Sequence, residues 1–66
     1  MAFLVDFLRK EARRRNNSVF SNKDIEEACL RLRVQKGHEV IIDRMHSETY
    51  LLRKGPKLWQ LNCSEF

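Results

Sequence analysis

The hydrophobic period of the chain changes once, near residue 48, and that change limits what it can fold into. Upstream, apolar residues return at three- and four-residue intervals, the spacing of helices buried on one side. Downstream, the run Tyr50-Leu51-Leu52-Arg53-Lys54-Gly55-Pro56-Lys57-Leu58-Trp59-Gln60-Leu61 sets two short apolar stretches around a basic tip with a Gly-Pro turn signal. With only 66 residues, the helices and the hairpin must share one core. A chain this short buries only about 60% of its unfolded surface, which leaves no room for a second domain or a deep catalytic cleft.

The helical part divides in three. Phe3, Leu4, Phe7, Leu8 and Ala12 form a stripe over about Phe3 to Arg15, with Arg9, Lys10, Arg13 and Arg14 off it. Asn16-Asn17 ends this helix, and Ser18-Val19-Phe20 is an apolar island long enough for a bridging strand. Ser21 offers an N-cap oxygen, and Asp24 a short capping-box carboxylate three residues on. The second helix then turns Ile25, Ala28, Cys29 and Leu32 inward and Glu26, Glu27, Arg31 and Arg33 outward. Lys36-Gly37 breaks the pattern, and a third helix over His38 to Ser47 brings Ile41, Ile42 and Met45 to one face. Tyr50 to Leu52 reads as a strand, Arg53 to Pro56 as its turn, and Lys57 to Leu61 as the returning strand with Trp59 and Leu61 on one side. Trp59 and Tyr50 in those positions read as core residues before base-stacking platforms. The order helix, strand, helix, helix, strand, turn, strand is that of a winged helix-turn-helix. This is an α+β fold, mainly α, in which a terminal hairpin over about residues 50–61, the wing, covers three helices.

Thirteen Lys and Arg against nine Asp and Glu give a net charge of +4 and a pI near 9.5, a balance that favours polyanionic partners. The cations are not where a sequence-reading protein would put them. The third helix, which enters the major groove in the usual docking, carries Glu39, Asp43 and Glu48 against a single Arg44, so phosphates would repel it. Its Val40 and His46, with Glu39 and Asp43, fit a protein-docking face. The basic groups are Arg13, Arg14 and Arg15 at the end of the first helix, and Arg53, Lys54 and Lys57 at the wing. Both suit backbone phosphates, which gives salt-dependent binding indifferent to sequence. Three wing cations would give a salt slope of about −2.7. The arginine run has a second reading, since cations at a helix C-terminus also complement its dipole.

No catalytic residue, metal or cofactor is expected. The chain has no G-x-x-x-x-G-K-[ST] phosphate loop, so ATP hydrolysis cannot reside in it. His38 and His46 lie about two helical turns apart, and with Cys29 and Cys63 they match no common zinc spacing. Two cysteines, one on a core stripe and one in a polar tail, point to a reducing compartment and not to a disulfide framework. The segment FLVDFL is too short to span a bilayer, so no membrane partner is expected. Met1-Ala2 directly before a helical pattern suggests a single domain over residues 1–66 excised from a longer chain, monomeric in isolation.

The run YLLRKGPKLWQL, preceded by the NNSVF junction and the FL-start helix, resembles the C-terminal winged-helix domain of the minichromosome maintenance (MCM) DNA helicases, most of all that of the eighth family member. The resemblance extends from Phe3 to Leu61. Tyr50-Leu51-Leu52, Gly55-Pro56-Lys57 and Gln60-Leu61 are its distinctive residues. It implies an accessory domain of a hexameric ATP-dependent helicase acting in homologous recombination and DNA repair in the nucleus. The implied partners are the rest of that helicase, the ninth family member in a hetero-hexamer, and DNA.

Overall fold

The computed structural model describes residues 2–34 and 37–62, so Met1, Lys36 and Cys63 lie outside the described residues. The elements run α1 (Ala2–Arg15), β1 (Val19–Ser21), α2 (Asn22–Arg31), α3 (His38–Ser47), β2 (Leu51–Gly55) and β3 (Leu58–Leu61).

Each helix stops in the same way. The residue after the C-cap takes a left-handed conformation, at Asn16 (φ 52°), Arg33 (φ 55°) and Thr49 (φ 64°). In each case two backbone bonds close the last turn: Asn17 to Ala12 and Asn16 to Arg13, Val34 to Cys29 and Arg33 to Leu30, Tyr50 to Met45 and Thr49 to His46. This is the Schellman arrangement, which spends otherwise orphaned carbonyls and usually carries glycine at the left-handed position. Here none of the three is glycine. Val34 and Tyr50, one residue further on, lay their side chains against the core, so the apolar contact that accompanies the motif offsets the backbone cost.

The start of α2 is equally local in origin. The Ser21 hydroxyl accepts the Asp24 N–H and the Asp24 carboxylate accepts the Ser21 N–H, both at 3.1 Å, a complete capping box.

The sheet order is β1-β3-β2, all antiparallel, so the last strand is the central one. Phe20 lies opposite Trp59, and Leu51 opposite Leu61. These four side chains form the inner face of the sheet, and the three helices close over it with Leu4, Val5, Leu8, Ile25, Ala28, Cys29, Ile41, Ile42 and Met45. Among the described residues no polar or charged residue is buried, so cohesion comes from apolar packing. The outer edge of β1 is closed by its own neighbours: Asn17 Oδ1 accepts the Val19 N–H, Arg15 donates to the Val19 carbonyl, and Asp24 takes the Ser21 N–H.

This is the winged helix expected from the order of elements, with two adjustments. β2 runs on through Arg53 and Lys54 to Gly55, and the turn is Pro56-Lys57, not Arg53 to Pro56. A bulge between Arg53 and Gly55, where two residues of β2 advance against one of β3, adds local twist to a hairpin whose turn begins with a proline-fixed φ. Tyr50 is a half-buried residue before β2 and not its first member, because the left-handed Thr49 is still turning the chain. Val5, off the predicted stripe, is buried as well.

Urea denaturation should separate these local effects. Ser21→Ala should cost about 1 kcal/mol of stability. Arg33→Gly, at an exposed left-handed position, should gain about 1 kcal/mol by relieving the Cβ clash.

Candidate nucleic-acid interface

The basic residues fall into two groups that the fold holds apart. The first follows from the C-terminal turn of α1. Arg15 is committed to the protein: it donates to the Val19 carbonyl at 3.1 Å, approaches Asp24 at 3.8 Å and lies over the Phe20 ring, 4.9 Å from its centroid. Arg14 meets Glu11 at 2.7 Å. That hydrogen bond, opposed by desolvation and aided by the Arg14, Arg31 and Arg15 charges, holds the Glu11 carboxyl below its ordinary value. Only Arg13 of the predicted trio is exposed without an ion pair among the described residues. It lines a groove of about 450 Å³ with Arg9, Asn16, Asn17 and Ser18.

The second group is the wing. Arg53 shares the sheet face of Trp59, its cross-strand partner, and folds back over the indole at 4.6 Å from the centroid. A guanidinium stacked there contributes to packing as a cation–π contact, although the residue as a whole stays exposed. Lys54 sits at the bulge and Lys57 in the turn, both exposed. The fold adds a residue that the sequence reading did not select. The Asn22 N–H donates to the Lys57 carbonyl at 3.0 Å, which sets exposed Lys23, in the first turn of α2, beside the wing tip. Lys23 was missed because only the pairing of β1 with β3 brings it there. Arg13 and the wing tip lie at opposite ends of β3, since Leu61 bonds Ser18 while Leu58 pairs with Ser21.

The exposed surface of α3 carries Glu39, Val40, Asp43, Arg44 and His46. Arg44, its one arginine, is drawn to Glu48 at 3.8 Å. His46 is exposed yet anchored: its Nδ1 lies 3.0 Å from the Leu51 carbonyl, a bond that needs the proton on Nδ1, and its ring tilts against Trp59 at 5.2 Å. Of the four residues read as a protein-docking face, Glu39, Val40 and Asp43 are exposed, the two carboxylates without an ion pair among the described residues, and His46 also holds the Leu51 carbonyl of β2.

Nothing described is arranged for chemistry. Cys29 is buried in the core, where desolvation and then the Glu26 charge push its thiol pKa up, away from nucleophile or ligand behaviour. No group of three His, Cys, Asp or Glu able to hold a metal occurs among the described residues, and no described helix is long and apolar enough to cross a membrane.

Three helices, a three-stranded antiparallel sheet and a basic hairpin tip define a winged-helix domain. Residues 2–63 match the family described as the MCM8 winged helix domain, and the chain belongs to that family. A comparison with curated proteins produced no significant match.

The Glu11–Arg14 pair supplies a check on this geometry. Its depressed folded-state pKa makes its small contribution present above the unfolded value and lost as pH falls through the folded one. An NMR titration of the Glu11 carboxyl should show a midpoint below that of an ordinary glutamate, and Arg14→Ala should move it up.

Proposed function

We propose that the chain is the C-terminal accessory domain of an ATP-dependent MCM helicase of homologous recombination and DNA repair. It works in the nucleus beside the ninth family member in a hetero-hexamer, and positions or regulates the motor through weak, sequence-independent contact of its wing with DNA. The observation that carries this reading is the separation of charge. Lys54 and Lys57 project at the wing beside Lys23, whereas α3 offers Glu39 and Asp43 where a reading helix would offer cations. Phosphates are attracted to the first surface and repelled by the second.

A second reading rests on α3. Val40 is 63% exposed among carboxylates on the face where a winged helix would meet DNA, and the one arginine there is paired to Glu48. A protein partner docking on Glu39, Val40 and Asp43 uses that face as it stands, without DNA.

Fluorescence anisotropy with labelled duplex DNA over a salt series distinguishes the two. With Arg53 stacked over Trp59, the three exposed lysines Lys23, Lys54 and Lys57 neutralise three phosphates, and the expected slope of log K against log salt is about −2.7. Lys54→Glu with Lys57→Glu should abolish binding, and Glu39→Gln with Asp43→Asn should leave binding present. Unchanged affinity in the double lysine variant would overturn the wing reading.

A further inference from the structure

The two edges of the sheet are treated differently. On the β1 side, Arg15, Asn17 and Asp24 occupy the outward backbone groups of Val19 and Ser21. On the β2 side, the Asn62 N–H bonds the Tyr50 carbonyl at 2.8 Å. Alternation in an antiparallel pair then points the backbone of Leu52 towards Gln60 and that of Leu51 and Arg53 outward. His46 takes the Leu51 carbonyl, and the outward N–H and C=O of Arg53 have no partner among the described residues. Beside this edge lies an apolar outer face. Leu52 stands opposite Gln60 and Leu58 is its diagonal neighbour, 45% and 43% exposed, with half-buried Val19 across Gln60. Lys54 and Lys57 bound it at the wing end.

We propose that the free edge of β2 and the Leu52–Leu58 face receive an extended acidic segment of a partner protein, added as a fourth strand. Its backbone pairs with Arg53, its alternate apolar side chains cover Leu52 and Leu58, and its carboxylates face Lys54 and Lys57. The chemistry of the surface selects this occupant. Nucleic acid has no amide backbone to continue the ladder, and phosphates do not cover leucines. A second copy pairing β2 to β2 would set Arg53 and Lys54 of each chain against those of the other, and like charges opposed across strands repel. The surface shares Lys54 and Lys57 with the proposed DNA contact but stands on the edge and the leucines, so the two are separable.

The test titrates the isotope-labelled 66-residue chain with a blocked seven-residue peptide of alternating Glu and Val, with its Lys–Val counterpart, and with duplex DNA. Saturable amide shifts over Leu51 to Gly55 with the Glu–Val peptide, slowed exchange of the Arg53 amide, and about tenfold weaker peptide binding in Leu52→Ser with Leu58→Ser are expected. The same variant should keep its folded spectrum and its DNA affinity. Four results would overturn the proposal: no binding of the Glu–Val peptide, equal binding of the Lys–Val peptide, peptide shifts that leave Leu51 to Leu58 unmoved, or serine substitutions that weaken DNA as much as peptide.

Discussion

The indole of Trp59 joins the parts of this molecule that would otherwise be independent. It sits on the central strand opposite Phe20, and its Nε1–H donates to Asn22 Oδ1 at the start of α2. The Arg53 guanidinium of β2 covers it and the His46 ring of α3 tilts against it. Contacts with two helices and both neighbouring strands thus meet on one side chain only 3% exposed. An aromatic group of this size contributes a large share of the apolar area in a small core, and its one polar atom is satisfied. Because the contacts come from different elements, they set where the wing stands relative to the helices.

That placement shapes what the surface can do. Arg53 stacks over the indole while staying exposed, the wing tip carries Lys54 and Lys57, and the Asn22–Lys57 bond brings Lys23 beside them. At the far end of β3, Arg15 is spent in closing the edge of β1 and holding Phe20, a structural duty that an arginine performs with several donors at once. The acidic exposed face of α3 completes a molecule whose overall charge of +4 describes neither of its two faces.

Much of the fold was legible because its determinants are local. The stripes Ile25-Ala28-Cys29-Leu32 and Ile41-Ile42-Met45, the Ser21–Asp24 box and the Gly-Pro signal each lie within a few residues, and the family likeness was readable in the hairpin itself. What was hidden depends on distant pairing. A three-residue strand such as Val19–Ser21 carries too little alternation to announce its register with residues about forty positions away. The position of Lys23, the engagement of Arg15 and the open edge at Arg53 all follow from that pairing. The bulge that moved the turn to Pro56-Lys57 was hidden for another reason: Arg53 and Lys54 are as compatible with a turn as with a twisted strand end, and in the fold both stay in β2, with Arg53 stacked on Trp59.

The decisive measurement is amide chemical-shift mapping of the chain with duplex, forked and single-stranded DNA at low and moderate salt. Salt-sensitive shifts concentrated on Lys23 and on Lys54 to Lys57, with Glu39 to Ser47 unmoved, are what a wing-centred phosphate contact predicts. Shifts centred on α3, or none with any DNA at low salt, would contradict it.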